Sequence, residues 1–226
     1  MFLSRLVLNP RNSEVRRGAS DCGRMHRTVM DAFPEVESEQ SARAQLGVLY
    51  RLEELPGTGN LLLLVQSRQE PNWSSLPEGY LLVTGVSQKN PACKEVSSLY
   101  AGLHVGQSLV FRLRANPTKK VDTASEKDGS RRNGRRVALS GEAEQLAWLE
   151  RKANQHGFQI LESGAKPGVM DVHPGATRGV RGRGSGGRNL TFGSVQYDGR
   201  LRVADRDLFV RAVEEGIGPA KAFGFG

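Results

Sequence analysis

Apolar positions along this chain recur in short stretches, some with the period of a strand and some with that of a helix. Phe2 to Leu8 reads as a strand and stops at Asn9-Pro10. Arg24 to Phe33 carries Met25, Val29 and Phe33 at helical spacing, and Pro34 follows its end. Gly47 to Leu55 alternates apolar and polar residues. After the turn material Pro56-Gly57-Thr58-Gly59-Asn60 comes a second apolar run, Leu61 to Gln66, so the two runs predict a hairpin. A short helical turn is expected near Trp73 to Leu76 and a strand over Tyr80 to Val86. Strand, helix, two strands, weak helix, strand is the ferredoxin-like order, a small antiparallel sheet with helices on one face.

Residues 88 to 106 lack such periodicity and read as a connection. This divides the chain into a first domain at 1–90, a linker at 91–106 and a second domain at 107–226. Gln107 to Ala115 is a strand of period two, with Leu109, Phe111 and Leu113 on one side and Arg112 and Arg114 on the other. Residues 117 to 135 are polar and charged and are expected to be mobile. Ser140 to His156 gives the clearest helix. Ser140 is its expected cap, Ala143, Leu146, Ala147 and Leu149 supply much of its apolar face, and Gly157 is its stop. Phe158 to Glu162 is a strand. Leu190 to Gln196 and Arg200 to Ala204 predict a hairpin over Tyr197-Asp198-Gly199, followed by a helix over Asp205 to Glu215. The fold class expected is α+β: two tandem ferredoxin-like (RRM-like) domains with antiparallel sheets, the second with its last strand missing or short.

Composition narrows the function classes. No run of 18 apolar residues is present, so no helix is expected to span a membrane. Met1 to Leu8 carries Arg5 and lacks a cleavage site, unlike a signal peptide. Cys22 and Cys93 make neither a disulfide framework nor a zinc-ligand spacing, which points to a cytoplasmic protein with free thiols. The formal net charge is +8 and is unevenly placed. Residues 5 to 27 hold six Arg against Glu14 and Asp21, residues 112 to 136 hold nine Lys and Arg against three acids, and residues 178 to 188 hold four Arg and no acid. Clustered cations beside an acidic remainder fit a polyanion-binding face, with nucleic acid favoured over ordinary solvated loops.

Two segments could carry chemistry. Gly216 to Gly226 follows a helix and is rich in glycine. Gly216 and Gly218 could present N–H groups to a phosphodiester beside the charge of Lys221, or the segment could be a tight helix-to-strand connection. His26 lies between Arg24 and Arg27. An imidazole titrating near ~6.5 can give or take a proton at neutral pH. Cutting RNA without a metal needs attack by the ribose 2′-OH, proton transfer and cations at the phosphorane, and His26 with Arg24 and Arg27 supplies that minimum. The alternative is a surface histidine on a basic helix. His104, His156 and His173 sit in a linking segment, at a helix end and near the Arg-rich segment, and are weaker candidates. Neither a carboxylate pair nor a His/Cys cluster shows metal-ligand spacing.

Several segments, in order from end to end, resemble one family. They are Met1-Phe2-Leu3-Ser4, the helix with His26 followed by Phe33-Pro34, Phe111 to Lys119, Glu142 to Lys152, Asp171-Val172-His173-Pro174, and Gly216 to Gly226. On these the chain resembles the CRISPR repeat-processing endoribonuclease of type I-E systems, the CasE family, a subunit of the Cascade complex. The resemblance implies cleavage of repeat hairpin RNA at the 3′ base of its stem, leaving a 5′-hydroxyl and a 2′,3′-cyclic phosphate, with no metal or other cofactor. It implies that the enzyme keeps its product and sits among other Cascade subunits, above all the repeated backbone subunit. His26 falls on the family's catalytic histidine, Arg27 on a phosphate contact, and Gly216 to Gly226 on the glycine-rich loop. Members often carry Tyr three residues before that histidine, and here the position is Gly23. An apolar tail that usually follows the last glycine is also missing. Gly23 makes a catalytically weak or inactive RNA-binding subunit the alternative. A hairpin stem is A-form and is read through shape and phosphates. Arg178, Arg181, Arg183 and Arg188 are expected along the stem groove, with Lys119 and Lys120 as further backbone contacts.

Overall fold

The computed structural model describes residues 1–36, 41–83, 88–121, 135–164 and 166–226. The first unit runs β1 (Phe2–Leu8), α1 (Ser13–Ser20), α2 (Cys22–Met30), a single turn α3 (Ala42–Gln45), β2 (Leu49–Glu54), β3 (Leu61–Ser67) and β4 (Ala92–Glu95). Its strands lie in the order β2-β3-β1-β4, all antiparallel, which is the ferredoxin-like order. β1 is central, so Leu6 and Leu8 are fully buried. They meet Val48, Leu63 and Val65 of the sheet and Val15, Met25 and Val29 of the two helices in one core.

Three features differ from the pattern. α1 escapes a periodicity search because Val15 and Gly18 are its only buried residues. It forms because Asn12 caps it, accepting from the N–H groups of Glu14 and Val15. The strand expected over Tyr80–Val86 shrinks to one bridge between Leu81 and Leu8, and residues 84–87 lie outside the described residues. The edge strand is instead β4, within the expected linker, where Phe2 to Arg5 pair with Glu95 to Ala92. Its residues are mostly exposed, as an edge strand requires of neither face, so no alternation marked it.

The second unit runs α4 (Ser97–Ala101), β5 (Ser108–Ala115), β6 (Thr118–Val121), β7 (Arg135–Ala138), α5 (Glu142–Gln155), β8 (Phe158–Ile160), β9 (Glu162–Ser163), β10 (Lys166–Met170), β11 (Val172–Pro174), β12 (Arg178–Arg183), β13 (Asn189–Val203) and α6 (Arg206–Glu215). β8, β13 and β5 lie side by side, the order of the first three strands of a second ferredoxin-like unit. Where a fourth strand would lie, the N–H of Gly226 donates to the carbonyl of Arg114 at 2.9 Å. The chain is thus two tandem ferredoxin-like units, each around its own core.

β13 is a correction. The expected hairpin over Tyr197-Asp198-Gly199 is one strand of 15 residues. Gly199 serves close approach, not a turn: a Cβ there would lie 2.5 Å from the carbonyl oxygen of Asp171, just before β11. The ends of the segment expected to be mobile form the β6–β7 hairpin, and residues 122–134 lie outside the described residues. The α5 cap is Gly141, not Ser140, and it makes no side-chain hydrogen bond. The buried face of α5 is Gln145, Trp148, Leu149 and Ala153, while Ala143 and Ala147 are exposed. Trp148 stacks on Tyr197 and so rotates the helix toward the indole.

Polar links join the two units. Arg51 donates to the Arg112 carbonyl at 2.8 Å, Arg114 to the Leu52 carbonyl at 3.2 Å, and Gln66 to the Val213 carbonyl at 2.9 Å.

Candidate active site

α2 owes its start to Asp21, whose Oδ1 accepts from the N–H groups of Gly23 at 2.9 Å and Arg24 at 3.1 Å. Met25 and Val29 anchor it to the first core. That leaves His26 half-buried at the margin of the helix's inner face, with Nδ1 buried and without a hydrogen-bond partner among the described residues. Burial pushes the imidazole below its ordinary value of 6.5, and the charges of Arg43 and Arg27 push it further the same way. The shift favours the neutral imidazole, the form that can accept a proton.

The cation pairing differs from the sequence expectation. Arg24 lies two residues from His26, about 200° around a helix of ~3.6 residues per turn, and points elsewhere. It is exposed and faces Glu14 of α1 at 3.5 Å. The second cation whose charge bears on the ring is Arg43. It comes from α3, whose four residues give no periodic signal, and its guanidinium donates to the Val48 carbonyl at 3.0 Å. Arg43 also lines a polar cleft of about 270 Å3 with Arg68, Glu214, Glu215 and Lys221. Burial and the neighbouring Arg43 lower the pKa of Lys221. Burial, with Lys152 and Lys221, lowers that of His156. Lys221 thus shares a cleft with Arg43.

Gly216 and Gly218 have a packing role. Both have positive φ, 78° and 89°. A Cβ on Gly216 would lie 2.9 Å from the Leu49 side chain, and one on Gly218 would lie 3.0 Å from the Trp148 ring. These glycines let the segment turn tightly between the two cores, the connection that was the alternative to a phosphate cradle. The same segment delivers Phe223 to His26, with ring centroids 5.9 Å apart and planes at 64°. Phe192 of β13 stacks on Phe223 at 5.2 Å, and Phe225 meets Phe192 edge-on.

The Arg-rich segment is a β-hairpin, not a loop. β12 pairs with Asn189 to Ser194 of β13, and Arg178, Arg181, Arg183 and Arg188 are all exposed. The hairpin packs on α2 through glycine. A Cβ on Gly23 would fall 2.0 Å from the Arg183 carbonyl oxygen, and one on Gly182 would fall 2.6 Å from Cys22 Sγ. A tyrosine at position 23 has no room unless β12 moves. Lys119 and Lys120 lie apart, on the β6–β7 hairpin, where Lys119 ion-pairs with Glu144 at 2.7 Å. Among the described residues no group of three His, Cys, Asp or Glu side chains could hold a metal ion, and no helix is long and apolar enough to cross a membrane. Cys22 is buried and Cys93 exposed, and neither forms a disulfide.

The family described as CRISPR associated protein matches the chain over residues 1–226. The chain belongs to this family. Among curated CRISPR-associated proteins it is 36% identical to the CRISPR-associated endoribonuclease Cse3 of Thermus thermophilus, over all of this chain and 97% of that protein. It is 30% identical to the Cascade subunit CasE of Escherichia coli K12, over all of this chain and 96% of that one. Among solved structures it is similar to Thermus thermophilus Cse3 bound to an RNA representing a pre-cleavage complex, with TM-score 0.77, 34% identity, and coverage of all of this chain and 96% of that one. The CRISPR-associated family thus contains members that bind RNA in this fold. In this member the arginine hairpin packs on the start of the helix that carries His26 and Arg27.

Proposed function

We propose that this chain is a CRISPR repeat-processing endoribonuclease that cuts hairpin RNA at the 3′ base of its stem and then stays bound to it as a Cascade subunit. The observation that carries this reading is the half-buried His26, held neutral beside Arg27 and Arg43, on the helix against which the arginine hairpin packs. Similarity to Cse3 and CasE over the whole chain supports it.

The chemistry uses few parts. The ribose 2′-OH attacks the adjacent phosphorus while His26 takes its proton. Arg27 and Arg43 oppose the charge that builds on the phosphorane, and Lys221 extends the same cationic surface. The P–O5′ bond breaks as the P–O2′ bond forms, the leaving 5′-oxygen takes a proton from water, and the products are a 2′,3′-cyclic phosphate and a 5′-hydroxyl. Arg178, Arg181, Arg183 and Arg188 hold stem phosphates, with Lys120 as an outlying contact. The protein works in the cytoplasm, beside other Cascade subunits and the repeated backbone subunit in particular.

A second reading, an RNA-binding subunit that does not cut, draws on Gly23, which offers no side chain where members often carry Tyr. One assay separates the two. Labelled repeat hairpin is incubated with protein in excess EDTA, alongside a substrate with 2′-deoxyribose at the cut. Cleavage of the first to a cyclic phosphate and survival of the second support the enzyme. Retained binding without a cut supports the second reading, and a requirement for added metal overturns the proposed chemistry.

A further inference from the structure

We propose that Asp21 is a positioning residue that locks the arginine hairpin to the helix carrying His26 and so sets which linkage of the RNA is cut. The inference rests on the enzymatic reading above. One carboxylate oxygen, Asp21 Oδ1, accepts three backbone N–H groups: Gly23 at 2.9 Å and Arg24 at 3.1 Å in α2, and Arg183 at 3.1 Å in β12. The first two start the catalytic helix. The third belongs to the strand that bears Arg178, Arg181 and Arg183, 162 residues further along the chain. The same atom therefore starts α2 and ties the last residue of β12 to that start.

The fit around it leaves no slack. A Cβ on Gly182 would sit 2.8 Å from Asp21 Oδ1 and 2.8 Å from the Gly23 N, and Gly23 leaves room for the Arg183 carbonyl in turn. Two backbones without side chains thus meet over the carboxylate. Burial by itself would raise the Asp21 carboxyl, but the N–H groups of Arg183, Arg24 and Gly23 and the charge of Arg27 outweigh it and hold it below 3.8. The carboxylate is charged at any working pH.

A second link runs through rings. Val180 of β12 pairs with Phe192 of β13, Phe192 stacks on Phe223, and Phe223 meets His26. This link is apolar and can slide, because stacking fixes a plane better than a position. The Asp21 link is directional and fixes distance. A stem held by the hairpin arginines is therefore indexed to His26 through Asp21, five residues or about 7.5 Å along the helix axis at ~1.5 Å per residue.

The test compares Asp21→Ala, Asp21→Asn and Gly182→Ala in the full chain, with product ends mapped to the nucleotide. Asp21→Asn keeps an oxygen acceptor and is expected to cut at the single wild-type linkage. Asp21→Ala is expected to bind the hairpin within about threefold of wild type, to cut at least about tenfold more slowly when saturated with RNA, and to spread cuts onto neighbouring linkages, since small misplacements of reacting groups cost rate steeply. Gly182→Ala keeps the Asp21 carboxylate but drives a methyl against Asp21 Oδ1 and the Gly23 N and wedges β12 away, so it is expected to spread the cuts as well. A merely structural role would lower thermal stability without moving the cut. Folded Asp21→Ala that cuts once, at the wild-type rate, overturns the proposal. Amide hydrogen exchange at Arg183 reads the lock without any cleavage. It is expected to quicken in Asp21→Ala, and unchanged exchange overturns the lock even if the wild-type protein proves unable to cut.

Discussion

His26 and Phe223 stand edge to face, 5.9 Å apart, although nearly two hundred residues of chain separate them. The contact ties the end of the second unit to the catalytic helix of the first. It also gives the glycine-rich segment a physical role, because the positive φ angles of Gly216, Gly218 and Ala220 bend the chain between α6 and Phe223.

Gly218→Ala is therefore expected to destabilise the protein by about 1–3 kcal/mol, from a strained φ and from a methyl driven against Trp148. Urea unfolding monitored by tryptophan fluorescence measures this. RNA affinity of the folded fraction is expected to change by less than about threefold, whereas a phosphate cradle at Gly218 would lose its contact and most of its binding.

Arg43 acts on His26 through space. In the free protein the His26 imidazole is expected to titrate below 6.5, and Arg43→Gln is expected to raise that midpoint toward 6.5. NMR of the ring protons gives both values. The sign carries into stability. The unfolded chain binds the proton at a higher pH than the folded one, so this residue's contribution is complete above 6.5 and is lost as the pH falls from there toward the folded value. A midpoint unmoved in Arg43→Gln would remove Arg43 from the site.

Hairpin affinity is expected to fall steeply with salt, because binding releases condensed counterions. Replacing Arg181 and Arg188 together with Gln is expected to reduce the slope of log affinity against log salt by about 2 and to weaken binding at low salt, provided both touch phosphate. Fluorescence anisotropy over a salt series checks it. The same change at Lys119 is expected to have a smaller effect, because that ammonium already pairs with Glu144.

Much of this architecture was legible in period and punctuation. β1, the β2–β3 hairpin, α5 and α6 follow from apolar spacing, and His26 with Arg27 could be picked out between short-range neighbours. What stayed hidden was set by contacts distant in sequence. Arg43 acts on the imidazole by its charge, from a single helical turn that no periodicity marks. Gly23 and Gly182 are glycines because two backbones pass at van der Waals distance, and only the fold brings them together. Gly199 carries the local signature of a turn, yet it answers to the neighbouring Asp171. A residue chosen for what packs across from it is misread when only its own neighbours are consulted. Arg24, adjacent in sequence to the reacting helix face, turned out to lie round the other side for the same geometric reason.

The most direct test of the central claim is the single-turnover cleavage of repeat hairpin RNA by His26→Ala in EDTA, beside a binding measurement on the same protein. The account predicts loss of cleavage with affinity kept within about tenfold, or ~1.4 kcal/mol. Undiminished cutting by a folded His26→Ala protein would contradict it.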